Sequence, residues 1–151
     1  MSFAGERAFR SHSFEVALPA AEAFELFTPE GERAWAPGWD PRYVHPKGPE
    51  TAKGMVFTTG EGANETLWLI SRYEPASGEV EYVRTTPGNR IAIVRVRCAA
   101  LAASSTRVSV SYEYTGLSEA GNAYVRSMDE AAYRTFIESW GEAIAKAVAS
   151  R

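Results

Sequence analysis

An α+β fold is predicted for this chain, and three observations predict it. One alternating stretch near the start leads into two short helical segments; alternating stretches joined by turns fill the middle; and the C-terminal stretch, Ser118 to Arg151, repeats its apolar residues at helical spacing. Short connections between the middle stretches favour antiparallel neighbours, so the expected product is an antiparallel sheet closed by a long final helix.

The first strand is read from Arg7 to Leu18, where Phe14, Val16 and Leu18 share one face and Ser13, Glu15 and Ala17 the other. Pro19 ends it and suits the first turn of a helix, for which Ala20 to Phe27 supplies good helix formers. Thr28-Pro29-Glu30 reads as a cap with proline at the first helical position, opening a second short helix to about Trp35. In Trp35-Ala36-Pro37-Gly38-Trp39-Asp40-Pro41 the prolines and glycine forbid regular structure, while the two indoles bring much apolar area. Those indoles either plug the end of the core or line a ligand mouth.

Further strands are signalled near Met55 to Thr59, Thr66 to Tyr73, Glu79 to Thr85, Ile91 to Ala99 and Arg107 to Tyr114. The hairpin through Pro87-Gly88 has a predictable register. Pairing Thr85 with Ile91 sets Val83 against Ile93, Glu81 against Arg95 and Glu79 against Arg97, which gathers opposite charges on one face. Val80, Tyr82 and Arg84 then share the other face with Ala92, Val94, Val96 and Cys98. Arg95 and Arg97 are expected on the solvated exterior. Arg84, in phase with Tyr82 near the strand end, either aims its charge at a cavity rim or snorkels to solvent.

In the last strand Val108, Val110, Tyr112 and Tyr114 face the core, and the two phenols require partners: each other, a buried water or a ligand. The strand at 66–73 is apolar on both faces, Leu67 and Leu69 opposing Trp68 and Ile70, so one face is expected to be covered by a neighbouring segment, a loop or a second subunit in a homodimer. In the C-terminal stretch Tyr133, Phe136, Ile137, Trp140, Ile144 and Val148 line one helix face, but Tyr124, Met128 and Ala131 fall roughly opposite. A break reconciles them, and Ser127-Met128-Asp129-Glu130 fits a capping box there. A short helix near 119 to 126 and a long one near 128 to 149, or one kinked helix, are expected. The later residues should anchor the fold, leaving Tyr124 and Met128 to shape a cavity or its entrance.

A chain of 151 residues with 45% hydrophobic content suits one well-buried core, so residues 1–151 are taken as one domain. The net charge of -3, with Lys and Arg scattered, argues against nucleic acid or an anionic membrane as the main partner. Cys98 has no second cysteine to bridge. No apolar signal region or membrane-length run is present, and the cytoplasm is the expected compartment. Gly60-Glu61-Gly62 lacks the residues of a phosphate loop, there is no G-x-S-x-G elbow, and His12 and His45 lack metal-ligand spacing, so neither a cofactor nor a metal is expected. His12 is in phase with Phe14 and Val16 and is either a satisfied core histidine or a general acid or base facing a pocket.

The order of elements, the stretch Leu18-Pro19-Ala20-Ala21-Glu22-Ala23-Phe24 and the long final helix resemble the START-like, helix-grip superfamily of polyketide cyclase/dehydrase and lipid-transport proteins, over nearly the whole chain. Trp35 to Pro41 and Leu117-Ser118-Glu119-Ala120-Gly121-Asn122 resemble a bacterial branch of it, from which no catalytic residue carries over. The resemblance implies a curved antiparallel sheet of six or seven strands gripping the final helix, with a hydrophobic cavity between them. Binding of a hydrophobic small molecule is the leading expectation, with walls drawn from Trp35, Trp39, Phe57, Trp68, Tyr82, Arg84, Tyr112, Tyr114, Met128 and Trp140. A cyclase or dehydratase using His12 or Arg84 with a tyrosine is the alternative, and a chaperone-activator-like interaction module with an exterior patch at Leu67, Leu69 and Ile91 is a third.

Overall fold

The computed structural model describes residues 2–151. Strand β1 (Arg7–Val16) leads into helix α1 (Ala20–Glu25) and a 3₁₀ turn at Gly31–Ala34; then come β2 (Arg42–His45), β3 (Val56–Thr59), β4 (Thr66–Glu74), β5 (Glu79–Thr86), β6 (Arg90–Ala102) and β7 (Ser105–Gly116); helices α2 (Glu119–Ser127) and α3 (Glu130–Ala149) finish the chain. All strands join one antiparallel sheet of seven, in the order β1-β7-β6-β5-β4-β3-β2. The chain therefore runs as a meander from β2 to β7, and β1 closes the far edge.

Alternation decides which face is buried. Along β1, Val16 is buried and Ala8, Arg10, His12 and Phe14 are half-buried, while the residues between them are exposed. On β7 the inward Val108, Val110, Tyr112 and Tyr114 are all buried. Against this face lie α1, with Phe24 buried, and α3, whose Tyr133, Ile137 and Ile144 are buried. Tyr133 locks helix to sheet by donating its hydroxyl to the Val110 carbonyl at 2.7 Å, and burial pushes that phenol's pKa far up.

The β5–β6 register is the expected one: Thr85 pairs with Ile91, Val83 with Ile93, Glu81 with Arg95 and Glu79 with Arg97. Only one charged pair becomes an ion pair. Arg95 meets Glu81 at 2.7 Å and also Glu113 at 3.3 Å, whereas Glu79 is held by Arg72 and Ser77. A register shift in β4 between Ile70 and Arg72 accompanies that exchange of partners.

Three further departures from expectation have local causes. Strand β2, absent from the expected strands, lies between Pro41 and Pro46; it pairs through Arg42 with Thr58 and Tyr43 with Phe57 at the sheet's edge. The second short helix is 3₁₀ rather than α and starts at Gly31, with Glu30 and not Thr28 at its N-cap; the Thr28 hydroxyl accepts from the Gly31 amide at 3.0 Å in the turn that leads into it. The helical break exists, but Ser127 does not cap α3. Asp129 does, accepting from the Ala132 amide at 2.9 Å, while the Ser127 hydroxyl donates back to the Tyr124 carbonyl at 2.6 Å. A carboxylate is the stronger acceptor, and Ser127 is still helical. Arg10 of β1 donates to the Met128 carbonyl at 2.9 Å, which ties the break to the sheet.

Of the two apolar faces of β4, Trp68 and Ile70 are inside, while Leu67 and Leu69 are 44% and 40% exposed. Leu69 lies in register with Val56 on β3, Val83 on β5 and, through Val83, Ile93 on β6, so the outer face carries an apolar row across four strands. Among the described residues no helix is long and apolar enough to cross a membrane.

Candidate functional site

A cavity of about 320 Å³ lies between the sheet and α3 and is roofed by the segment from the 3₁₀ turn to Trp39. Its sheet wall comes from Trp68 of β4, Tyr82 and Arg84 of β5, Val94 and Val96 of β6 and Tyr112 of β7. These positions follow from strand phase and register. Trp68 pairs with Arg84, and Tyr82 with Val94, which in turn faces Tyr112. Helix α3 contributes Phe136, Ser139, Trp140 and Ala143, which recur at spacings of three and four and so share a face. The roof contributes Glu32, Trp35 and Trp39.

Every one of the chain's four tryptophans lines this cavity. Two are pinned by the backbone they fold over, Trp35 donating its indole N–H to the Leu26 carbonyl at 2.7 Å and Trp39 to the Pro29 carbonyl at 2.8 Å. They thus both plug the end of the core and line the cavity. Trp68 donates to the Thr59 hydroxyl at 2.9 Å. The rings hold one another edge-on: Trp39 against Trp68 with centroids 5.3 Å apart, and Trp68 against Tyr82 at 5.7 Å. Trp35 and Trp140, at 5.5 Å, bridge roof to helix.

The polar groups are few. Arg84 lies with its guanidinium carbon 4.7 Å from the centre of the Trp68 ring. Its register partners are Trp68 on β4 and Ala92 on β6. No ion pair to Arg84 forms among the described residues. Glu32 enters from the roof, and burial lifts its carboxyl well above the ordinary 4.5, with the Arg84 charge pulling the other way. Tyr82 is satisfied, donating to the Phe27 carbonyl at 2.5 Å, and burial pushes its pKa up. Tyr112 is pushed up to about 12 by burial, against the nearby charge of Arg84.

Three of the residues expected in the walls lie elsewhere. Phe57 is fully buried behind Trp68, stacked on it with centroids 5.7 Å apart, and so backs the wall without reaching the space. Tyr114 is stacked behind Tyr112 at 5.2 Å, toward α2, and its buried hydroxyl has no hydrogen-bond partner among the described residues. Met128 sits at the helical break, away from the cavity. Its companion Tyr124 packs on Tyr114 and under Arg90, whose guanidinium carbon is 3.6 Å from the ring centre. The cavity takes its helical wall from the later stripe, of which Trp140 alone was expected to line it, because Trp140 and Phe136 flank the fully buried line of Tyr133 and Ile137 and look past it under the roof.

His12 faces α3, as its phase requires, but occupies an outer groove with Arg10 and Tyr133, where Glu138 lies 3.8 Å away. It does not meet Arg84. Cys98, also inward, is buried and has its thiol pushed up to about 12 by burial. No cluster of His, Cys, Asp and Glu suited to a metal ion occurs among the described residues.

Of the lining residues that sequence reasoning missed, Glu32 is the acidic one. Acidic residues are ordinary in a first helical turn, and Glu30 and Glu32 look interchangeable there. The usable signal was spacing: in a 3₁₀ turn residues three apart eclipse, so Glu32 follows Trp35 inward while Glu30 turns out to Arg33 and Tyr43.

No family model matches the chain, and no curated protein does. Solved structures do match. Norcoclaurine synthase from Thalictrum flavum, in complex with dopamine and hydroxybenzaldehyde, superposes with a TM-score of 0.69 at 13% identity, over 98% of this chain and 90% of that one. An uncharacterised protein from Rhizobium leguminosarum gives 0.71 at 12% identity, over 97% of each chain. The ZhuI aromatase/cyclase from Streptomyces sp. R1128 gives 0.63 at 19% identity, over 95% of this chain and 92% of that one. At such identities the shared property is architecture, and with the sheet and final helix described above it establishes that the chain has the helix-grip α+β fold.

Proposed function

We propose that this chain binds a hydrophobic, ring-bearing small molecule in the cavity between the sheet and α3. The observation that carries the reading is the wall itself: indoles and phenols from four separate elements and the roof converge on about 320 Å³, with Glu32 and Arg84 as its acidic and basic side chains. That is the volume and chemistry of a small-ligand site, apolar area for affinity and a few polar groups for orientation. A second groove, between residues 34–37 and the end of α3, shares Trp35, Pro37, Ser139 and Ala143 with the cavity and supplies the way in. Among the structural neighbours, one carries two small aromatics and another is named as an aromatase/cyclase, which agrees with this reading.

Because the tryptophans surround the space, intrinsic fluorescence reports occupancy directly. Titration with lipids and polycyclic aromatics should quench or shift it saturably, and native mass spectrometry should show one ligand per chain. Ser139, exposed on α3 and common to cavity and groove, provides the control. Ser139→Trp should leave thermal stability within about 0.5 kcal/mol, as surface changes do, and weaken binding at least about tenfold by filling the mouth. Unchanged affinity in that variant would place the ligand elsewhere.

A second reading, catalysis of a cyclisation or dehydration, is favoured by one observation, the presence of Glu32 and Arg84 in the same cavity. Glu32 then replaces His12 as the acid or base, and Arg84 polarises a carbonyl. Turnover of a polyketide-like ketone, lost in Glu32→Gln with binding retained, would separate it from passive carriage. The homodimer expected from β4 would use the outer row through Leu67 and Leu69; sedimentation showing only single-chain mass at high concentration would exclude it.

A further inference from the structure

The cavity's polar groups are unequal, and their inequality selects among hydrophobic ligands. Arg84 brings a full positive charge to an apolar space and forms no ion pair among the described residues. Among the facing side chains Glu32 alone is acidic, and burial disfavours its charged form. From the 3₁₀ turn comes Glu32; from β5 comes Tyr82, whose hydroxyl is engaged by the Phe27 carbonyl; from β7 comes Tyr112, whose neutral hydroxyl interacts with the guanidinium; α3 presents Phe136, Ser139, Trp140 and Ala143, none of which ionises. Arg33, next to Glu32, turns outward to Glu30 and Asp40.

A cationic ligand would meet the Arg84 charge with Glu32, whose charged form burial disfavours, as the one acidic side chain in the lining to offset the repulsion, and a neutral one would cover the guanidinium without pairing it, which is costly for a charged donor. A planar acid does neither. Its ring fills the aromatic slot, and its carboxylate can take two parallel hydrogen bonds from the guanidinium fork, which Trp68 holds flat from one side.

We propose that the site is selective for flat aromatic acids, the ligand's carboxylate pairing with Arg84 while the Glu32 carboxyl, in its protonated form, donates a hydrogen bond to it from the roof. This deepens the binding function proposed above and rests on it. Burial already favours the protonated form of Glu32, and a bound carboxylate favours it further, since two anions cannot share the space. Binding is therefore linked to a proton on Glu32: affinity is greatest while that carboxyl is protonated and falls as pH rises through its raised pKa.

Three probes with one ring system test this: naphthalene carboxylate, naphthyl methanol and naphthyl methylamine, titrated by tryptophan fluorescence and calorimetry. The carboxylate should bind about ten- to a hundredfold more tightly than the alcohol, the worth of a hydrogen-bonded charge, and the amine most weakly. Arg84→Met should remove most of the carboxylate's advantage, and Glu32→Gln should flatten its decline with pH. If alcohol and carboxylate bind alike in the wild type, or if Arg84→Met weakens both equally, acid selectivity is wrong and the hydrophobic cavity stands. If none of the three binds, both fail together. Circular dichroism of each variant excludes misfolding as the cause of lost affinity.

Discussion

Glu32 is a carboxyl folded into an aromatic wall, and burial raises its pKa well above 4.5, which makes it a stability group as well as a site group. A raised carboxyl pKa means that the folded state holds the proton more firmly than the unfolded chain does. The contribution is fully present below the unfolded value and is lost as pH rises through the folded one. Glu32→Gln, which keeps the shape and cannot ionise, should therefore be more stable than the wild type at neutral pH and equal to it below about 4.5. Urea melts of both proteins across that range check this; a constant difference at every pH would mean that Glu32 is not buried in an apolar wall. The contrast with Arg84 shows what was readable in advance. Its inward phase followed from the alternation of Val80, Tyr82 and Arg84 alone, and its two outcomes, cavity or solvent, differed only in what stood over the strand end. That cover is the 3₁₀ turn, whose placement no local pattern states.

The elements differ in how much of their structure is local. The β5–β6 hairpin was legible to the residue, because a two-residue period, a Pro-Gly turn and facing charges all require the same pairing. Strand β2 was not, since its pairing with β3 is a sheet-edge contact and its own sequence is hemmed by prolines. The α2–α3 break was legible as a phase change, but its cap is Asp129, two residues beyond the expected Ser127. Capping residues make distinguishable predictions. Asp129→Ala should cost about 1 kcal/mol by freeing the Ala132 amide at the start of α3, whereas Ser127→Ala should fall within about 0.5 kcal/mol, because its hydroxyl only bonds back within α2. Equal losses from the two substitutions would restore Ser127 as the cap.

At the scale of the whole molecule, roof, sheet and helix all meet around the cavity, so filling it should stabilise the fold. Trp35 and Trp140 connect roof to α3, Trp39 and Trp68 connect roof to sheet, and Tyr112 and Phe136 connect sheet to α3. A ligand lodged among these rings binds only the folded chain, and at a hundredfold excess over its Kd adds about 2.7 kcal/mol to the free energy of unfolding. For a chain of this length that is an increase in Tm of about 5 to 10 °C. The increase should grow logarithmically with ligand concentration, and the transition should remain a single one, since no element can leave the cavity while the others keep it. Ser139→Trp separates this linkage from non-specific solvation of the outer sheet face, where Leu67 and Leu69 also offer apolar surface. In that variant the ligand-dependent increase should vanish while the unliganded Tm stays put. An increase that survives the blocked mouth would assign the stabilisation to the outer row, and the cavity would lose its claim to be the binding site.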